Sequence, residues 1–138
     1  MIQATPAFRV LVTGGRNYAE SGRVAAALDK LESIYGPLVV IQGGATGADA
    51  FAREWCEPRP HCKLIDEPAK WNDIATPPVV RRRRRDGTFY NAAAGGIRNQ
   101  LMLDQHKPVV VLAFKGGSGT ADMVKRAVAA GVPVIFPR

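Results

Sequence analysis

Apolar residues in this chain come in short unbroken runs, and most of these runs stop at glycine. Residues 8–13 (FRVLVT) lead into Gly14-Gly15, residues 38–42 (LVVIQ) into Gly43-Gly44, and residues 108–114 (PVVVLAF) into Lys115-Gly116-Gly117. Runs rich in β-branched residues, without polar alternation, predict strands covered on both faces, as in parallel sheets. Residues 63–66 (KLID) read as a shorter strand. Residues 132–136 (VPVIF) read as a last one near an edge, because Pro133 cannot donate to a ladder.

Between the strands the apolar spacing lengthens to helical intervals. Val24, Leu28, Leu31 and Tyr35 form one stripe, which ends at Gly36-Pro37. A second helix is expected over 48–55. A third is expected over 92–106, with Ile97, Leu101 and Leu103 inward and Gly95 and Gly96 allowing a close neighbour. A fourth is expected over 121–130, with Met123, Val124, Ala127 and Val128 at helical spacing. The cap candidates are Asn17 or Ser21 with Glu20, then Thr46 with Asp49, then Asn91 and Thr120.

Strand, glycine loop and helix thus recur. This order predicts the α/β class: a single Rossmann-like three-layer α/β/α domain over residues 1–138, built on a mainly parallel sheet. Counting its strands along the chain, the expected order is 3-2-1-4-5. Residues 1–7 read as a loose lead-in. Residues 67–90 lose periodicity and read as a hairpin-like excursion with an Asp86-Gly87 turn.

Composition adds little until the charge is located. The 138 residues carry a net charge of +7, and Arg81, Arg82, Arg83, Arg84 and Arg85 supply five of those charges, leaving +2 for the rest. Basicity is therefore local and not spread over a face. No apolar run approaches membrane-spanning length and no secretion-signal profile opens the chain, so a cytoplasmic protein is expected, with no membrane partner. Cys56 and Cys62 flank Pro58, Arg59, Pro60 and His61 in one short loop, too few ligands for a zinc site, and two unpaired surface thiols are expected with no metal and no cofactor.

The chemistry lies in the loops. In such a sheet the loops at 14–15, 43–47 and 116–119 gather beyond the carboxyl ends of the strands, where ligands bind. Gly116, Gly117, Ser118, Gly119 and Thr120 leave helix amides uncovered for a phosphate; the alternative is a tight turn closed by Thr120. Gly14 and Gly15 permit close approach, and Arg16 offers a fork to a second anion. Asp49 has two open readings, a cap partner or an exposed carboxylate for ribose hydroxyls. Arg98 and Asn99, early in their helix, are expected to face the ligand. The Gly-x-Gly-x-x-Gly and Gly-x-x-x-x-Gly-Lys-Ser/Thr patterns are absent, which argues against an ordinary NAD dehydrogenase and a nucleotide triphosphatase.

Four segments, VTGGR at 12–16, GGATGAD at 43–49, AGGIRNQLML at 94–103 and GGSGTADM at 116–123, together resemble the YspA-type branch of the SLOG superfamily, over nearly the whole chain and in order. The resemblance implies a Rossmann-like domain binding a nucleotide or nucleotide-derived ligand through Thr13, Gly14, Gly15, Arg16, Gly43, Gly44, Ala45, Gly47, Asp49, Asn99 and the loop at 116–120. Its enzyme relatives, the LONELY GUY phosphoribohydrolases, imply catalytic roles for Arg98 and Asp122, and a dimer. Lys115 stands where those enzymes have proline, Asp122 is one methylene shorter than their glutamate, and Met123 replaces a second glutamate.

Three functions follow as expectations. The first is binding of a nucleotide or ADP-ribose-like molecule, in sensing or sequestration. The second is hydrolysis of a nucleoside 5′-monophosphate at its N-glycosidic bond. The third is nucleic-acid binding through the arginine run, with Trp71, Phe89 and Tyr90 as the stacking candidates. A solvated hairpin, or an arm against a partner subunit, is the alternative for that run.

Overall fold

The computed structural model describes residues 7–138, so six of the seven lead-in residues lie outside the described ones. In chain order the elements are β1 (Phe8–Thr13), α1 (Ser21–Tyr35), β2 (Leu38–Gln42), α2 (Ala48–Cys56), β3 (Lys63–Asp66), β4 (Arg81–Arg83), β5 (Phe89–Asn91), α3 (Ala94–His106), β6 (Val110–Ala113), α4 (Ser118–Ala129) and β7 (Val134–Ile135).

The main sheet has the order β3-β2-β1-β6-β7. All its pairings are parallel, with Val10 opposite Val40 on one side and Val110 on the other. With the β4–β5 hairpin set aside, this is the 3-2-1-4-5 order expected of the five core strands. Successive side chains of a strand point to opposite faces, and β1 shows the consequence. Val10 and Val12 join Val24, Leu28, Ala52 and Trp55 in the core under α1 and α2. Leu11 joins Met102, Leu103, Met123 and Ala127 in the core under α3 and α4. Two apolar clusters on one sheet make three layers.

Several details differ from expectation. None of the four helices has a side-chain cap: the N-cap residues are Glu20, Gly47, Ala93 and Gly117. Ser21 and Thr120 already belong to their helices, and the Thr46 hydroxyl donates to the Arg16 carbonyl instead. Asn91 Oδ1 accepts from the amides of Val80 and Ala93, so it ties the excursion to the approach of α3. Tyr35 is exposed but stacks on Phe8 with ring centroids 4.0 Å apart, while Ile97 and Val128 face solvent. Met102 takes the inward role expected of Ile97: Asn99, Met102 and Leu103 share the buried face at i, i+3 and i+4, and Ile97 lies two positions off it. The last strand keeps only Val134–Ile135, at the sheet edge. Cys56 and Cys62 are free, and Cys56 lies in the core and not near the surface, where burial pushes its thiol up to about 11.

The excursion between β3 and α3 contains the antiparallel β4–β5 hairpin, with Arg82 opposite Tyr90. Its turn is longer than a two-residue Asp-Gly hairpin, because Gly87 donates to the Arg84 carbonyl and Arg84 to the Thr88 carbonyl. Gly87 takes the positive φ of 92° that such a turn requires.

Candidate ligand-binding cleft

Because the sheet is parallel, the loops after β1, β2 and β6 open at one end of it. They border a single cleft of ≈ 1030 Å³, walled on its far side by Pro68, Trp71 and the start of α3. The cleft takes in Thr13, Gly14, Gly15 and Arg16 from the first loop. It takes Gly43, Gly44, Ala45 and Asp49 from the second, and Gly117, Ser118, Gly119, Thr120 and Asp122 from the third. Arg98 and Asn99 reach it from α3. Two candidates do not border it. Gly47, at φ +73°, is packed so that a Cβ would meet the Gly15 carbonyl, and Gly116 is pressed between the Thr120 hydroxyl and the Gly15 amide. Both residues let the loops nest against each other, and they shape the cleft from behind.

The loops differ in what their backbone has left to offer. The Gly15 amide donates to the Lys115 carbonyl at 2.9 Å, which ties the first loop to the third. In the second loop the Gly44 amide donates to Gln42 Oε1, and the Ala45 amide to Asp49 Oδ2 at 3.2 Å. Those donors are spent. The third loop is different. The first amide of α4 with a backbone partner is Ala121, which donates to Gly117, so Ser118, Gly119 and Thr120 keep free amides among the described residues. Three unspent donors at the positive end of a helix make an anion seat. The first and second loops spend their Gly15, Gly44 and Ala45 amides on protein acceptors, and the Gly15–Lys115 bond holds the third loop in position.

Asp49 is buried at 6% exposure, so the exposed carboxylate considered for it gives way to a structural one. Burial raises its pKa, opposed by hydrogen bonds from the Ala45 and Gly43 amides and by the charge of Arg98. Arg98 is clamped in turn. Its Nη1 donates to the Gly43 carbonyl at 2.7 Å and more weakly to Glu67, and its Nε donates to Asn99 Oδ1 at 3.0 Å. A Cβ at residue 43 would displace this guanidinium, so glycine there lets Arg98 keep its place. Asn99 Nδ2 then donates to the Gly119 carbonyl and to Asp122 Oδ2, which also accepts from Arg126 Nε at 2.8 Å. Burial pushes the Asp122 carboxyl up, but the Arg126 and Asn99 hydrogen bonds outweigh it and hold it below the usual range. Asp122 is therefore an ionised carboxylate at neutral pH, with Oδ2 doubly engaged and Oδ1 without a partner among the described residues.

The sequence reading passed over parts of the cleft. Gln42, fully buried at the end of an apolar strand, donates to Asp66 Oδ1 at 2.8 Å while it holds the Gly44 amide. A lone polar residue closing an apolar strand was its signal. Arg126 was legible as the i+4 partner of Asp122. In sequence Trp71 is a stacking candidate for nucleic acid. It lies across the cleft, with its ring edge where a Cβ of Gly95 would come within 2.9 Å and with the Arg16 guanidinium 5.8 Å from its centre. Gly95 therefore does admit a close neighbour, and the neighbour is this indole.

The arginine run lies apart from these loops, on the hairpin. Arg81 stacks on Phe89 at 3.8 Å, and Arg84 lies over Tyr90 while donating to Asn72 Oδ1 at 2.8 Å. Arg82, Arg83 and Arg85 complete the run on the same hairpin and its turn. Among the described residues no helix is long and apolar enough to cross a membrane.

Comparison with known proteins adds lineage. Residues 8–73 match the family described as YspA, cpYpsA-related SLOG. The Gene 61 protein of Mycobacterium phage D29 is 37% identical over 131 residues, covering 92% of this chain and 94% of that one. Among solved structures, DNA processing protein A from Helicobacter pylori, described for its single-stranded DNA binding mode, aligns with a TM-score of 0.61 at 16% identity. MurG of Acinetobacter baumannii aligns with a TM-score of 0.55 at 15% identity. The chain spans 64% of the first and 34% of the second, and at these identities the likeness is one of fold.

Proposed function

The chain belongs to the YspA, cpYpsA-related SLOG family, and on that premise we propose that its cleft binds a nucleotide or a nucleotide-derived molecule such as an ADP-ribose. One observation carries the reading: the three free amides of Ser118, Gly119 and Thr120 open into a cleft that also contains Arg16, Arg98 and Trp71. The amides take a phosphate. Arg16 serves a second anionic group, Arg98 offsets charge from behind Gly43, and the Trp71 ring offers a face for a base. The volume lies at the upper end of small-molecule sites, which run to roughly 1,000 Å³. That is room for a base, a ribose and more than one phosphate.

A panel of nucleoside mono- and diphosphates, ADP-ribose and dinucleotides, each at millimolar concentration, tests this by thermal shift. At least one is expected to raise the melting temperature in proportion to the logarithm of its concentration. A panel without effect overturns the proposal.

Asp122 favours a second reading, the phosphoribohydrolase. An ionised carboxylate with one free oxygen, a single helical turn beyond the anion seat, suits stabilisation of an oxocarbenium-like ribosyl centre. Its low pKa makes it unfit as a general acid. Release of free base from AMP, lost in Asp122→Asn, supports hydrolysis; intact AMP after long incubation leaves binding alone. The exposed hairpin arginines favour a third reading, a nucleic-acid strand alongside. Retention of a single-stranded oligonucleotide at low salt, abolished when Arg81, Arg82, Arg83 and Arg85 become serine, supports that reading.

A further inference from the structure

At the opposite end of the sheet from the cleft, three side chains of different chemistry meet. Glu32 lies near the end of α1, while His61 and Cys62 lie on the loop that enters β3. Glu32 Oε2 is 2.9 Å from His61 Nε2 and 3.2 Å from Cys62 Sγ, and the three ligand atoms all lie within 4.8 Å of one another. Sequence reading set the cysteines aside because one short loop supplies too few ligands. The fold brings in Glu32, 29 positions before His61, and changes that count.

We propose that Glu32, His61 and Cys62 form a binding site for a zinc-like divalent transition metal ion, distinct from the nucleotide cleft. The donor set selects the metal class. A thiolate and an imidazole suit zinc and its neighbours and are poor ligands for magnesium or calcium, which take oxygen. Tetrahedral bonds of about 2.0–2.3 Å separate neighbouring ligand atoms by roughly 3.3–3.8 Å. The observed 2.9 and 3.2 Å therefore need only a small spreading. His61 is the most exposed of the three and has room to supply it. Three protein ligands leave a fourth position to water.

Without metal, Glu32 acts as the acceptor. Hydrogen bonds from Cys62 and His61 hold its carboxyl below the usual range, while burial pushes the Cys62 thiol up. On binding, the ion replaces the thiol proton of Cys62, which passes to the buffer, and the neutral imidazole gives its Nε2 lone pair. One proton is released per ion, and affinity rises with pH. The bound ion ties α1 to the entry of β3, adding to the packing of Cys62 and Leu64 against the core under α1.

The test uses the full chain stripped with a chelator. Zinc is titrated in competition with a chromophoric chelator, and cobalt(II) serves as the spectroscopic probe. One equivalent is expected to bind at about micromolar affinity or tighter, with a thiolate-to-cobalt charge-transfer band. Cys62→Ser removes the band. Glu32→Gln, which preserves shape, and His61→Gln each weaken zinc by at least about tenfold. Cys56→Ala leaves band and affinity intact. No binding, a band that survives Cys62→Ser, or affinity unchanged in Glu32→Gln each overturns the proposal, and circular dichroism of every variant confirms that loss of metal is not loss of fold. Since the site is remote from the cleft, nucleotide thermal shifts are expected to persist in Cys62→Ser, so the two proposals fail separately.

Discussion

At the scale of single residues, two glycines in one loop do different work, and substitution separates them. At Gly43 an added Cβ meets the far end of the Arg98 side chain, which can swing aside. Gly43→Ala is expected to leave the melting temperature nearly unchanged, yet to weaken the nucleotide that produces a thermal shift by about tenfold, the worth of one hydrogen bond to a charged group. At Gly47 the φ of +73° is open only to glycine, and the added atom meets the backbone of Gly15 and Arg16, which cannot yield. Gly47→Ala is expected to cost at least about 2 kcal/mol of folding stability, read as a shift in urea midpoint. Should Gly43→Ala prove the more destabilising of the two, Arg98 is holding the fold together and not serving the cleft.

At the scale of elements, one arginine of the hairpin's five reaches beyond the hairpin, beside the backbone bond from Asn91 to the Trp71 carbonyl. Arg84 donates to the Phe89 carbonyl at 3.0 Å and to Asn72 Oδ1 at 2.8 Å, so it ties the β4–β5 turn to the segment that carries Trp71. The exposed Arg82 side chain has no hydrogen-bond partner among the described residues, although its backbone pairs with Tyr90. Arg84→Ser should speed amide exchange at Thr88 and Phe89 by roughly tenfold, the loss of one or two such bonds, whereas Arg82→Ser should leave it unchanged. Equal exchange in the two variants would mean that the hairpin stands by itself. This tie was invisible in sequence, where five identical letters carry no ranking. The strands were legible because burial on both faces writes itself as unbroken apolar runs at 8–13, 38–42 and 108–114. The glycine pairs likewise marked where the cleft opens. The caps were not fully legible, since Thr46 spends its side chain on the distant Arg16 carbonyl and Asn91 divides its own between the nearby Ala93 amide and the distant Val80 amide. Nor was the position of Trp71, inside a stretch without periodicity.

At the scale of the whole molecule, the Asp122 carboxylate helps to join α3 and α4 at the cleft, beside the Asn99–Gly119 and Arg126–Gln100 hydrogen bonds, and acid should loosen its share of that join. The Asp122 pKa is lowered from 3.8 by Arg126 and Asn99, so its stabilisation is complete above the unfolded value and is lost as pH falls through the lower folded one. The difference in urea midpoint between the native chain and Asp122→Asn should therefore stay constant from about pH 7 to pH 5 and shrink below 3.8. A difference that persists into strong acid would mean that the aspartate acts by shape alone. The cleft itself has two owners. Its glycine loops and the start of α4 belong to the sheet framework and are locked by packing, but the opposite wall, Pro68 and Trp71, comes from an insert that lends no strand to that sheet. Descendants of such a chain can trade this insert for another without disturbing the framework, recutting one wall of the cleft while the other stays as it was.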